Sequence, residues 1–201
     1  MLKINTRRTI ISGPRIVMTI ASFLLIGGGY VLTLVGAPTL APLISMKPIS
    51  VNALPAPEKS DNRIIIPKIG VNIPFSDGKD ALDHGAEWRF PERGNPETGG
   101  NFIIAGLRFS IQPTPQATIK KSPFYSLDKL APNDKIIVDY NGTRYAYEVS
   151  STTNVISNQD ELNSPSETAK LTIYSSETDG SATGHTALIA KPLGKVAVET
   201  N

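Results

Sequence analysis

The sequence of 201 residues contains no cysteine. Disulfide bonds, thiolate metal sites and thiol nucleophiles are therefore excluded. Only two histidines occur, His84 and His185, which excludes a histidine-rich metal site. Aromatic residues make up 6%, the net charge is +2, and no block of lysine and arginine is interleaved with aromatics. We therefore expect no nucleic-acid partner, no metal and no cofactor.

Turn-forming residues, in contrast, are abundant, with sixteen glycines and sixteen prolines. Short apolar or alternating runs between them predict strands, which lie at residues 63–67, 71–75, 101–106, 135–140, 143–150, 170–175 and 186–191. Asn141-Gly142 is typical of a two-residue hairpin turn. Short helices are predicted at residues 81–86 and 123–130. The pattern predicts an all-β fold, a small closed β-barrel of about seven or eight strands with short helices.

One long apolar run precedes these strands. No charged residue occurs between Ile16 and Gly36, and at about 1.5 Å per residue a helix over this run spans roughly the 30 Å of a hydrocarbon core. Basic residues lie before the run, and the next one after it is Lys47. The positive-inside rule places the N-terminus in the cytoplasm and the following domain outside the cell. A cleaved signal peptide is the alternative, but its apolar part is shorter.

These features divide the chain into five parts. We expect a basic cytoplasmic N-terminus at residues 1–15, a single-pass transmembrane helix at residues 16–36, a proline-rich stalk at residues 37–61, the β-barrel domain at residues 62–192 and a C-terminal tail at residues 193–201. The prolines of the stalk favour an extended, semi-rigid spacer. The predicted location is the cell membrane, with the barrel extracellular.

Eight segments of the barrel domain occur in a distinctive order. They are RIIIPKIGV from Arg63, ALDHGA from Ala81, GGNFIIAGLR from Gly99, FYSLDKL from Phe124, DKIIV from Asp134, YAYEV from Tyr145, LTIYSS from Leu171 and HTALIAK from His185. In this order, behind an N-terminal anchor, they resemble the sortase family. Sortases are membrane-anchored thiol transpeptidases that cut a C-terminal sorting signal and join the product to the cell wall or to a pilus. The resemblance covers nearly the whole outer domain and implies a sortase-like barrel.

The resemblance also implies three catalytic positions, and all three are substituted in this chain. A sortase has a histidine directly after the Ala-Gly that ends its central strand, where this sequence has Leu107. Its nucleophilic cysteine ends a Thr-Leu-x-Thr-Cys strand, a position that Ser176 occupies here. Its arginine begins the last strand, where the best alignment places His185 and an alternative alignment places Thr186.

These substitutions favour a catalytically impaired pseudo-sortase. A leucine neither accepts nor donates a proton, and a serine hydroxyl ionises far less readily than a thiol, so it needs a base during attack. A histidine is mostly neutral at pH 7 and does not replace the charge of an arginine beside an acyl intermediate. The first hypothesis is a cell-surface pseudoenzyme that binds a sorting-signal or pilin-like peptide, or that scaffolds an active sortase.

Two other interpretations stay open. Ser176 could act as the nucleophile and His185 as its base, with Glu177 or Asp179 orienting the imidazole, which would make the chain an active transpeptidase or hydrolase. Alternatively, the domain is a purely structural part of the cell surface. An open groove around Leu107 and Ser176 would favour peptide binding, whereas a filled groove would favour the structural interpretation.

Overall fold

The computed structural model describes residues 13–44, 47–78, 80–154, 159–176 and 186–197. The chain divides into two compact units, Met1–Ala37 and Pro38–Asn201. The first unit contains most of one long helix. The second contains a β-barrel together with the segment that leads into it.

Helix α1 (Gly13–Ile44) is apolar over most of its length. From Gly13 to Pro42 it is long and apolar enough to cross a membrane. The helix is longer than the predicted 16–36, because it continues through Pro38 and Pro42. Each proline costs one backbone hydrogen bond but keeps a helical φ angle, so an apolar helix can accommodate it. The first residues of the predicted stalk are therefore helical.

The second unit is built on nine strands within the described residues. These are β1 (Arg63–Ile66), β2 (Val71–Asp77), β3 (Ala86–Arg89), β4 (Gly94–Asn95), β5 (Gly99–Leu107), β6 (Lys135–Tyr140), β7 (Thr143–Asn154), β8 (Lys170–Ser176) and β9 (Thr186–Lys195). Eight of them close in the order β3-β2-β1-β6-β7-β9-β8-β5, because β3 pairs with both β2 and β5. The short β4 pairs with β5 alone. The closed barrel confirms the predicted fold class.

Strand β3, which closes the barrel, is not among the predicted strands. Glu87 and Arg89 interrupt its apolar residues, so the sequence lacks the enrichment that marks a strand. Trp88 secures β3 from inside the barrel, where it makes edge-to-face contacts at centroid distances between 5.7 and 6.4 Å. Its partners are Phe75, Phe102 and Tyr140. Tertiary aromatic packing therefore compensates for a weak local preference.

Strand β9 also differs from its predicted extent. It continues beyond Pro192 to Lys195, so the barrel includes the first residues of the predicted C-terminal tail. Pro192 lies opposite Tyr147 of β7, at a point where the pairing register between β7 and β9 shifts. The regular hydrogen-bond ladder is interrupted there, so a proline is tolerated. Proline occurs in sheets mainly at such irregular or one-sided positions.

Within the described ranges, three short α-helices connect the strands: α2 (Ala81–His84), α3 (Pro115–Lys120) and α4 (Gln159–Asn163). The first agrees with the predicted helical turn. No helix is predicted at α3, yet its start carries two local signals, since the Thr114 hydroxyl accepts a hydrogen bond from the Ala117 amide and Pro115 occupies the first helical position. The predicted helix at 123–130 is instead a series of turns ending in a 3-10 turn at Leu127–Lys129.

The segment of residues 47–61, predicted as the outer part of a free stalk, lies against the barrel. The Ile49 amide donates a hydrogen bond of 2.9 Å to the Pro67 carbonyl, and a 3-10 turn follows at Val51–Ala53. Proline-rich composition predicts an extended chain, but it carries no information about what that chain contacts. The segment therefore belongs to the folded unit.

A buried ion pair holds this segment to the barrel. Arg144 Nε and Nη2 each donate a hydrogen bond of 2.7 Å to the carboxylate of Asp139, and both side chains are 4% exposed. Arg144 Nη2 also donates to the Pro55 carbonyl at 2.8 Å. The same guanidinium thus joins β6, β7 and the segment that leads out of α1.

We expect Arg144→Met to lower the free energy of unfolding by about 3–5 kcal/mol, because it leaves the Asp139 carboxylate buried without a partner. Urea unfolding followed by circular dichroism measures this. The double variant Arg144→Met with Asp139→Leu should recover much of the loss. As a control, Lys68→Met removes the exposed partner of Asp134 and should cost about 1 kcal/mol or less. Equal losses in both single variants would contradict the prediction.

A second prediction concerns acid. Glu148 accepts hydrogen bonds from Lys135 and Lys191 on the neighbouring strands, and these two lysines lower the pKa of Glu148 from 4.5 to about 2. A carboxyl with a lowered folded-state pKa stabilises the fold above its unfolded pKa and loses that contribution as the pH falls. Glu148→Gln should therefore flatten the pH dependence of stability between 4.5 and about 2. An unchanged acid-unfolding curve would contradict this.

Candidate functional site

Strands β5 and β8 end side by side. Their parallel register places Leu107 opposite Ser176 at the last paired position. Strand β9 runs antiparallel to β8, with Tyr174 opposite Ala187, so the start of β9 at Thr186 lies at the same end of the barrel. The fold therefore brings two of the three predicted catalytic positions to neighbouring strand ends. Their roles stay predictions.

The third position, His185, lies outside the described residues, as do Glu177 and Asp179. For Ser176 the structure gives the backbone position at the end of β8. A hydrogen bond between Ser176 and His185 thus stays a prediction. The residue before Ser176, Ser175, connects the two strand ends. Its Oγ donates a hydrogen bond of 3.4 Å to the Thr186 carbonyl oxygen.

Leu107 is enclosed at the end of β5, with 4% of its surface exposed. Its carbonyl accepts a hydrogen bond of 3.1 Å from the Phe124 amide. Phe124 is fully buried and packs directly on Gly106, where a Cβ atom would lie 2.6 Å from the ring. The glycine before Leu107 therefore permits the close approach that fixes this strand end. The side chain there is apolar and shielded, and it offers no proton acceptor.

The outer face of β5 and β8 is covered. Side chains alternate along a strand, so Phe102 and Ile104 point into the barrel core while their neighbours point outward. The outward set forms a second, fully buried cluster of Ile103, Ala105, Tyr174 and Ala187, with Phe90 and Leu162 packed against it. This part of the face carries apolar side chains beneath a covering segment.

Helix α4 supplies the covering segment, and Asn101 holds it in place. Asn101 Nδ2 donates to the carbonyls of Leu162 at 2.8 Å and Ser164 at 2.7 Å. Asn101 Oδ1 accepts a 2.6 Å hydrogen bond from Thr172 Oγ1 on β8. Asn101 and Thr172 are both fully buried. A buried amide with three hydrogen bonds specifies one position for the segment.

Tyr174 forms a second attachment. Its hydroxyl donates to Asn163 Oδ1 at 3.3 Å and accepts from Arg89 Nη1 at 3.1 Å. Burial raises the pKa of Tyr174, which keeps the hydroxyl protonated as a donor. Arg93 Nη1 donates to the Asn163 carbonyl, and its guanidinium lies 3.8 Å above the Phe90 ring centroid. We call Asn101, Tyr174 and Arg93 the α4 latch.

Titratable side chains are dispersed in the part of the chain that the structure describes. His84 is exposed at the end of α2, and Asp160 and Glu161 are exposed on α4. Within the described ranges, no three or more His, Asp or Glu side chains group in a way that could hold a metal ion.

The match of this chain to a protein-family model agrees with the closed barrel described above. The family described as Sortase domain matches residues 64–189. The chain therefore belongs to the sortase family. No curated protein matches the chain.

Solved structures of sortases share the fold. The chain is similar to a Clostridium perfringens sortase D5 transpeptidase, with 25% identity over 67% of this chain and 79% of that chain, at a TM-score of 0.51. Sortase A from Corynebacterium diphtheriae is 18% identical, over 98% of this chain and 74% of that chain, with a TM-score of 0.53. Sortase E from Streptomyces avermitilis is 20% identical, over 67% and 88%, with a TM-score of 0.52.

The α4 latch is absent from the sequence-based predictions. One signal was available, because Asn101 is a polar residue at the start of the apolar run of β5, where burial demands hydrogen-bond partners. The identity of those partners was not available, because Leu162 and Ser164 are more than sixty positions away along the chain.

We expect Asn101→Ala to loosen α4, because it leaves the two carbonyls and Thr172 Oγ1 without their buried partner, at a cost of about 1–3 kcal/mol. Hydrogen exchange of Gln159–Asn163 should accelerate. As a matched control, Asn95→Ala removes an amide that caps the exposed amides of Glu97 and Thr98, which water can replace. Unchanged exchange of α4 in Asn101→Ala would refute the latch.

Proposed function

We propose that this protein is a membrane-anchored, sortase-like cell-surface protein that lacks thiol transpeptidase activity and acts by holding another protein. One observation carries the proposal: Leu107, in the position of the sortase histidine, is 4% exposed and lies opposite Ser176 at the ends of β5 and β8. The absence of cysteine from the whole chain supports the same conclusion.

The chemistry of acyl transfer explains why these substitutions matter. A sortase forms an acyl-enzyme on a thiolate, which is accessible near neutral pH because a thiol has a reference pKa near 8.5. A serine needs a base within hydrogen-bond reach to lose its proton during attack. The buried leucine side chain at position 107 cannot act as that base. Both the nucleophile and its activation are therefore weakened together.

Among binding roles, scaffolding of an active sortase is favoured over capture of a peptide along β5 and β8. An extended peptide needs an open groove beside strands. On the described part of this face, Ile103, Ala105 and Tyr174 are fully buried and α4 is latched over them. A sorting-signal or pilin-like peptide would have to displace the latch. The covered face equally favours a purely structural surface domain, which is the remaining alternative.

The proposed location follows from α1 and its flanking charges. The apolar helix is long enough to span a membrane, and the basic residues that precede it favour a cytoplasmic N-terminus. In this arrangement the barrel stands on the outer side, where sorting signals and other sortases are encountered.

A second candidate function is serine-based hydrolysis or transpeptidation. The pairing of β8 with β9 favours it, because Ser176 ends β8 and His185 directly precedes the first residue of β9 in the sequence. Neighbouring positions in an antiparallel pair bring side chains within the reach that a nucleophile and its base need.

The test is a transpeptidation and hydrolysis assay of the full chain in lipid nanodiscs, with a fluorescent sorting-signal peptide and an amine acceptor. We expect the unmodified chain and Ser176→Ala to give the same background rate. The triple variant Leu107→His, Ser176→Cys, His185→Arg should exceed that background by about 10-fold or more if base and thiolate are restored.

Turnover by the unmodified chain that Ser176→Ala abolishes would overturn the proposal and establish the second candidate. A direct titration with the same peptide separates the binding roles. Saturable binding by the unmodified chain would favour peptide capture, whereas binding that appears only in Asn101→Ala would indicate that the α4 latch closes the face.

A further inference from the structure

Exposed apolar side chains outside α1 are concentrated in one loop. In the described part of the barrel unit beyond α1, the large apolar side chains that are strongly exposed are Ile111 at 61%, Ile119 at 36% and Leu193 at 49%. The first two lie between β5 and β6, in the segment of residues 108–121. We call this segment the β5–β6 insertion. The two isoleucines lie eight positions apart in this one connecting segment.

The charges of the β5–β6 insertion have a single sign. Its sequence, RFSIQPTPQATIKK, contains three basic residues and no acidic one. Arg108 and Lys120 are exposed, whereas Lys121 forms an ion pair of 2.6 Å with Asp83. An apolar surface flanked by cations matches the chemistry of an anionic lipid surface, where headgroups attract the cations and apolar side chains enter the interface.

The insertion is also held in shape. Thr118 Oγ1 accepts from the Gln112 amide at 2.9 Å, and Ser122 Oγ accepts from the Ser110 amide at 3.0 Å. Thr118, which belongs to α3, is fully buried. These bonds close the loop on itself, so Ile111 remains exposed on a fixed scaffold rather than folding back onto the barrel.

The insertion lies beside the end of the anchor. Pro42 lines a cleft of about 260 Å³, and Ile119 and Lys120 line the same cleft. The apolar helix that meets the requirements for a span has 30 residues and ends at Pro42. At about 1.5 Å per residue this is about 45 Å, which matches a bilayer with its headgroups. Pro42, the last residue of this apolar span, is therefore expected at headgroup depth.

We propose that the β5–β6 insertion docks the barrel onto an anionic lipid surface beside the anchor. Ile111 and Ile119 would enter the interface, and Arg108 and Lys120 would contact the headgroups. This inference rests on the proposed membrane anchoring. It assigns the insertion a role in holding the barrel close to the bilayer, which restricts the orientations in which the barrel meets other surface proteins.

The absence of cysteine makes a site-specific test direct. Ile111→Cys and, as the matched control, Leu193→Cys each create one labelling site on an exposed apolar position. Each full-length variant is labelled with an environment-sensitive fluorophore and reconstituted into equimolar phosphatidylcholine and phosphatidylglycerol vesicles that contain a headgroup spin label. We expect quenching at position 111 to be about twofold stronger than at position 193, and weaker in phosphatidylcholine alone.

The charges are tested by adding Arg108→Gln and Lys120→Gln to the Ile111→Cys variant, which should reduce quenching at position 111 in the anionic vesicles. Flotation after an alkaline wash reports anchoring separately. A chain that floats but shows equal quenching at both labels overturns the docking proposal alone. A chain that does not float overturns the anchoring on which it rests. Quenching at position 111 that is equally strong in anionic and in phosphatidylcholine vesicles overturns the role of Arg108 and Lys120.

Discussion

Burial of strand β5 on both of its faces is the constraint around which the rest of the domain is arranged. Phe102 and Ile104 fill the barrel interior, while Ile103 and Ala105 lie beneath α4. A strand without a solvent-facing side needs its backbone paired along both edges, and β3 and β8 provide that pairing. Leu107 continues the same pattern to the strand end. The side chain at this predicted catalytic position is thus buried.

The outer face of β5 and β8 is filled by the ring of Tyr174, whose hydroxyl donates to Asn163 and accepts from Arg89. Polar groups enclosed in this way are costly unless every partner is present, so they specify one arrangement.

Much of the barrel was predictable, because buried strands require runs of apolar residues that are visible in the sequence. The runs at β1, β5, β6 and β8 are apolar and β-branched, and their order identified the family. Strand β3 was not predictable, because Trp88 is held by aromatic rings from three other strands rather than by local preference. Helix α3 was predictable in principle, since Thr114 and Pro115 carry a start signal. Helix α4 depends on Asn101, which is distant in sequence.

The sequence by itself determined which chemistry is excluded: a chain without cysteine has no thiolate, and Leu107 has no proton to exchange. It also determined the apolar helix and the family, because both depend on residue types in order along the chain. Only the tertiary structure decided that α4 covers the face beside Ile103 and Tyr174, that residues 47–61 lie on the barrel and that the β5–β6 insertion lies beside Pro42. Each of these depends on contacts between residues far apart in sequence, which no local pattern encodes.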